Sequence, residues 1–229
     1  MQNIIFVYYL IFKKLSTMKE SNFKLILSIV LFTIAFSCKK EEPDTRLVLP
    51  AILENNIPLP IPDATYNVSG CGSGVGPGSA ENTIEITADG IIADPSKLSI
   101  EVDLSHAYGG DVVLELFTPS GESCGLIKRI GALENTSCGT KADFIAGNKL
   151  VFNSSFVNLL TDPFASGNYA PTGSLTSDFP TNVNMIPLST FLLGKNIKGT
   201  WKMKMYDFGS TDAGTLNSWK LKFSTGALE

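Results

Sequence analysis

Histidine is nearly missing from this chain: among its 229 residues only His106 carries an imidazole. A Ser-His-Asp machine needs such a ring at converging loops, whereas Asp103, Ser105 and His106 follow one another along a single predicted strand, which supplies no nucleophile elbow. No GxSxG, HExxH, P-loop or GxGxxG element occurs, and no CxxC pair offers a zinc or thioredoxin-like site. No residue is therefore assigned a catalytic role, and no cofactor is expected. An excess of positive charge is also lacking, with 18 Lys and Arg against 22 Asp and Glu, so no basic field attracts phosphate backbones and nucleic acid is excluded as a partner. Long amphipathic helical repeats are absent as well. Instead Gly, Pro, Asn, Ser and Thr break the chain at strand-like intervals from Pro60 onward, and the 44% hydrophobic content suffices for one sizeable all-β domain.

The N-terminal region is different in kind. Residues 25–36, LILSIVLFTIAF, form an unbroken apolar run behind Lys19 and Lys24, too short for a comfortable membrane span and suited to the core of a signal peptide. With Ala35-Phe36-Ser37-Cys38 at its end, the segment resembles the lipobox of bacterial lipoproteins, which implies acylation at Cys38 and a membrane partner reached through an N-terminal lipid. The following KKEEPD resembles the export tag of surface lipoproteins in some Gram-negative bacteria, and the expected location is the outer membrane or cell surface. A second apolar run, IIFVYYLIF, precedes Met18, which makes Met18 a candidate start. The division that follows is a signal and lipobox region at 1–38, a proline-rich tether at 39–60 held extended by Pro43, Pro50, Pro58 and Pro60, and a β-domain at 61–229.

With Cys38 set aside for lipid, Cys71, Cys124 and Cys138 remain in a compartment where disulfides persist. Pairing Cys124 with Cys138 would close a loop worth about 3 kcal/mol in the chain-entropy model. Cys71 can pair with either, and the sequence does not choose.

Within the domain, TIEIT (83–87), LSIEVDLS (98–105), DVVLELFT (111–118), CGLIKRI (124–130) and KLVFNSSFVNLL (149–160) read as strands by alternation or apolar content. Near the C-terminus, GTWKMKMYDFGSTDAGTLNSWKLKF (199–223) reads as a hairpin with a long loop. Trp201, Met203, Met205, Trp219, Leu221 and Phe223 fall on its dry side and Lys202, Lys204, Lys220 and Lys222 on its wet side. If the two strands pair, the four lysines form one basic patch, a candidate docking face for an acidic protein or anionic glycan, against the plainer reading of a solvated face that resists edge association. Together these segments give about eight antiparallel strands, a jelly-roll-like β-sandwich. Asp207 and Asp212 flank the long loop, but two carboxylates are few for calcium, and Asp207 reads as a turn former that satisfies nearby amides. His106 reads as a local hydrogen-bonding residue at a strand end, with Asp111 as the candidate partner across the Tyr108-Gly109-Gly110 turn.

Two stretches carry a family resemblance: VDLSHAYGGDVVLELFTPSG (102–121) and LLGKNIKGTWKMKMYDFGSTDAGTLNSWKLKF (192–223). Both are similar, in order, to the P domain (Homo B domain) of subtilisin-like proprotein convertases, and the similarity covers residues 61–225. The resemblance implies a jelly roll that follows and stabilises a protease domain, influences its calcium and pH behaviour, and carries none of its catalytic residues. Ahead of it here the sequence shows only the signal-like region and the tether, so the expectation is a protein without enzymatic activity whose partner is a protein such as a separately encoded protease. The competing expectation is a carbohydrate-binding jelly roll, with Tyr108, Tyr169 or Phe164 stacking on sugar rings.

Overall fold

The computed structural model describes residues 46–65, 76–133, 137–173 and 183–229. The signal region, Cys38 and Cys71 lie outside them. Within these bounds, eleven strands form two sheets that face each other across one apolar core.

The first sheet has the order β1 (Ala51–Asn55), β11 (Gly214–Phe223), β4 (Leu98–His106), β7 (Lys149–Asn153) and β8 (Gly167–Tyr169), with β2 (Leu59–Ile61) also paired to β11. The second has the order β3 (Gly78–Ile86), β10 (Gly199–Asp207), β5 (Val112–Phe117), β6 (Ser123–Lys128) and β9 (Thr172–Gly173). Most pairs are antiparallel, but β6 with β9 and β7 with β8 are parallel, so the sheets are mixed rather than uniformly antiparallel. A short helix, α1 (Leu188–Leu192), buries Leu188, Phe191 and Leu192.

Alternation explains the core. In β4, Leu98, Ile100, Val102 and Leu104 point inward and are fully or almost fully buried, and Leu114 and Leu116 of β5 face them from the other sheet's side of the core. Trp201 and Trp219 are both fully buried and keep their indole N–H groups satisfied: Trp201 donates to the Ile197 carbonyl at 2.8 Å and Trp219 to Asn82 Oδ1 at 3.0 Å.

The C-terminal hairpin is not formed. β10 pairs with β3 and β5 in one sheet, while β11 pairs with β4, β1 and β2 in the other. The connection 208–213 crosses from sheet to sheet instead of folding back. Alternation shows which face of a strand is dry, and two strands that face each other across a core have the same pattern as two that sit side by side.

The tether is also shorter than the prolines suggest. Residues 51–55 add β1 to the edge of the first sheet, with Ala51 opposite Phe223 and Asn55 opposite Trp219, and 59–61 add β2 beside Gly214–Leu216. Pro50 and Pro58 stand just outside these strands and Pro60 lies within the short β2, the positions where a missing amide donor costs a sheet least. Likewise 149–160 is a strand only to Asn153, whose side-chain oxygen accepts the Ser155 amide at 2.8 Å and turns the chain out of the ladder.

Candidate functional site: a buried polar clasp between the sheets

The chain brings its chemically distinctive residues to one end of the sandwich. His106 closes β4 in the first sheet and Asp207 closes β10 in the second. Between them, Tyr108 leads into a 3-10 turn, Gly109–Asp111, and Arg129 follows β6 with a left-handed backbone (φ 40°).

The geometry is tight. His106 Nδ1 accepts the Tyr108 amide N–H at 3.0 Å. On the other side of the ring, Nε2 lies 3.1 Å from Asp207 Oδ2, and the two side chains are wholly buried. The other carboxylate oxygen, Asp207 Oδ1, accepts the Gly209 amide at 2.8 Å. Arg129, fully buried, donates from Nε to the Gly110 carbonyl at 2.8 Å and from Nη2 to the Ser137 carbonyl at 2.7 Å. Its Nη2 also stands 3.5 Å from Asp111 Oδ1, and its guanidinium lies 5.6 Å from the centre of the Phe208 ring. The Phe208 amide in turn donates to the Asp111 carbonyl at 3.0 Å. One arginine thus gathers the 3-10 turn, the 137–140 segment and the β10–β11 connection.

Glycines permit the approach. A Cβ on Gly214 would sit 2.4 Å from His106 Cδ2, and one on Gly209 would sit 2.0 Å from Asp111 Oδ2. On the turn, a Cβ at Gly109 would meet the Phe164 ring at 2.0 Å and one at Gly110 the Cys138 carbonyl oxygen at 2.2 Å. These are the glycines of the two stretches singled out in the sequence, so both stretches close on the same cluster.

Burial and neighbouring charge compete over the titrations. Burial disfavours the charged imidazole, but Asp207 and then Asp111 outweigh it and raise the His106 pKa above its ordinary value. Burial pushes Asp111 up to about 6 against the pull of Arg129, and Arg129 itself is brought down to about 10 by burial. The cluster lies in the dry interior, and through His106 and Asp207 it brings the ends of a strand from each sheet together.

The other predicted site residues fare differently. His106 finds Tyr108 and Asp207 rather than Asp111 as its close partners. Asp207 does satisfy a turn amide, as its sequence context indicates. Among the described residues no group of three or more His, Cys, Asp or Glu is arranged to hold a metal ion. Arg129, the anchor of the clasp, was not singled out in the sequence. Its signal is a basic pair, Lys128-Arg129, at the end of an otherwise apolar strand.

The basic docking face does not exist as one surface. Lys202 and Lys204 project from the outer face of the second sheet and Lys220 and Lys222 from that of the first, on opposite sides of the sandwich, because their strands belong to different sheets. Each lysine also has a glutamate: Lys202 and Lys204 share Glu81, Lys220 meets Glu54 at 2.8 Å, and Lys222 meets Glu101. The Cys124–Cys138 bridge is likewise not formed. Cys124 is a free, buried thiol pushed up to about 12 by burial, whereas Cys138 is disulfide-bonded to a partner outside the described residues. Phe164 has no face to offer a sugar, being 2% exposed and stacked on Phe144 at 4.0 Å, and Tyr169 is half-buried with its hydroxyl donated to the Ala165 carbonyl.

An all-β sandwich closed at one end by a buried His, Asp and Arg clasp is the class the architecture defines. Residues 157–223 match the family model of the proprotein convertase P-domain, a non-catalytic domain of subtilisin-like proteases. The match spans β10 and β11; the first motif, with His106 and Asp111, precedes it. A transglutaminase-activating metalloprotease of Streptomyces mobaraensis is 24% identical over 173 residues, covering 76% of this chain and 15% of that protein. Among solved structures, a serine protease of Aeromonas sobria aligns over 78% of this chain and 28% of its own, at 14% identity and a TM-score of 0.32. The same protease in complex with its chaperone ORF2 aligns over the same shares at 14% identity and a TM-score of 0.30. The chain thus spans less than a third of the length of the relatives it matches.

Proposed function

We propose that this protein is a non-catalytic lipoprotein of the cell surface whose P-like domain binds and stabilises a protease carried on another chain. The observation that carries the proposal is the P-domain match at 157–223, and the metalloprotease similarity points to the same setting. The clasp supports a non-catalytic role. The chain's single histidine has one ring nitrogen occupied by the Tyr108 amide and the other facing Asp207, with the side chain wholly buried, so no solvent-facing imidazole remains to act on a peptide bond. Lipid at Cys38 would place the domain at the outer membrane, with the residues that follow Cys38, up to the bridge of Arg46 with Asp89, as the link.

Capture on the tagged full chain from detergent-solubilised cell envelopes, followed by active-site-directed serine- and metalloprotease probes, tests the partner. The expected result is a labelled protease enriched over a tag-only control. Turnover of a peptide library by the purified chain alone, with no protease captured, would contradict the proposal. Radiolabelled palmitate should enter the wild type and not Cys38→Ala, and equal labelling of both would remove the lipid anchor.

A further inference from the structure

The contacts of His106 fix where its proton sits. Because Nδ1 accepts the Tyr108 amide N–H at 3.0 Å, the neutral ring must carry its proton on Nε2, the nitrogen that faces Asp207 at 3.1 Å. A second proton could enter only at Nδ1. There it would place two N–H donors nose to nose across the 3.0 Å now spanned by a hydrogen bond. We infer that His106 is a proton-operated switch for the Tyr108–Asp111 turn: when the ring becomes a cation, Tyr108 must give up its hydrogen bond and the turn must shift.

The groups that face the ring favour that event. Asp207 from β10 and Asp111 from the turn are both acidic, Arg129 after β6 stands behind Asp111, and Asp212 from the β10–β11 connection adds negative charge near Asp111 and Tyr108; Gly214 of β11 and the backbone of Phe144 present none. The ring has little freedom to escape by moving. Gly214 lies against Cδ2, and the His106 backbone is paired in both directions with Phe144, at 3.0 and 2.9 Å. The turn cannot retreat inward either, because Gly109 and Gly110 already abut Phe164 and the Cys138 carbonyl.

The movement is therefore directed outward and has listeners. Gly109 and Gly110 donate to the Ala142 and Thr140 carbonyls at 2.8 and 2.9 Å, and the Asp111 carbonyl accepts the Phe208 amide at 3.0 Å. A displaced turn thus perturbs both the 137–144 segment and the β10–β11 connection. The half-exposed Tyr108 side chain moves with it.

Because His106 is the only histidine, a nitrogen-15 NMR titration of the full chain reads its ring without ambiguity. At high pH the ring nitrogens should show the Nε2–H tautomer and the Tyr108 amide should be protected from hydrogen exchange. As the pH falls through the ring titration, Tyr108 should lose protection by about tenfold or more with the midpoint of the ring itself, as expected for local opening of a hydrogen-bonded turn. His106→Gln should abolish that transition at Tyr108, and Asp111→Asn should leave a transition that still tracks the ring. Should the glutamine variant fail to fold, the coincidence of the ring and amide midpoints in the wild type remains the test. Undiminished protection of Tyr108 while the ring becomes cationic would overturn the inference. So would a ring that stays neutral until the domain unfolds, or a Tyr108 transition that persists in His106→Gln or vanishes in Asp111→Asn.

Discussion

β10 and β11 are near copies in pattern: GTWKMKMYD and GTLNSWKLKF each begin with Gly-Thr, bury a tryptophan and carry two half-buried lysines. They nevertheless belong to different sheets, and their tryptophans enter the same core from opposite sides. The difference lies in the partners. β10 finds β3 and β5, β11 finds β4, β1 and β2, and the connection between them is held at the clasp through Asp207, Phe208 and Gly209. Binary patterning decides what is buried; the polar contacts at strand ends accompany the decision about which sheet a strand joins.

The largest effect should come from the shared feature of the two strands. Trp201→Ala and Trp219→Ala each remove a fully buried indole and its hydrogen bond, at a cost of about 3 to 5 kcal/mol, a large part of the about 5 to 15 kcal/mol that holds a typical domain together. Urea denaturation followed by far-UV circular dichroism would show it. Equal losses would make the two strands energetically equivalent, and an unequal pair would show which sheet is the weaker.

Acid and base should separate the clasp from the apolar core on a smaller scale. Both His106 and Asp111 have folded-state pKa values above their ordinary ones, Asp111 at about 6 against 3.8. Groups shifted upward bind protons more tightly in the folded chain. The contribution of Asp111 is fully present only below its unfolded pKa of 3.8 and is lost as pH rises through about 6, while that of His106 is present below 6.5 and lost as pH rises through its raised value. The domain should therefore be more stable at pH 5 than at pH 8, by on the order of 2 kcal/mol. Asp111→Asn, locked neutral, should reduce the difference, and urea midpoints across that range would check both.

The smallest effect should come from the lysines that first made the two strands look like one surface. Lys202→Gln with Lys204→Gln, or Lys220→Gln with Lys222→Gln, removes partly exposed pairs with Glu81, Glu54 and Glu101, whose attraction water and salt largely screen. Because the two pairs lie on opposite faces, their effects should add. A loss well above the sum would mean that the lysines share one face after all.

Much of the fold was legible because alternation is a direct report of burial. The inward faces of β4, β10 and β11 follow from spacing alone, as does the two-layer architecture. What stayed hidden depends on distant partners. β1 was masked by prolines that turn out to flank it, and the sheet change after β10 has no local signature. The disulfide partner of Cys138 was undetermined because three cysteines offered more than one pairing. The clasp was half visible: His106, Asp111 and Asp207 stood out as polar residues at strand ends. Arg129 did not, because a buried arginine among apolar residues becomes intelligible only when the Gly110 carbonyl and Asp111 it serves are brought to it by the fold.

The central claim is that His106 and Asp207, from different strands and different sheets, act as one unit that joins the sheets rather than as separate polar residues. A double-mutant cycle on folding stability with His106→Gln, Asp207→Asn and the pair tests it most directly. Removing one partner leaves the other buried and uncompensated, so each single change should cost about 3 to 5 kcal/mol. The double variant should cost clearly less than the sum, with a coupling of about 1 kcal/mol or more. Strict additivity, with coupling within about 0.5 kcal/mol of zero, would contradict the clasp.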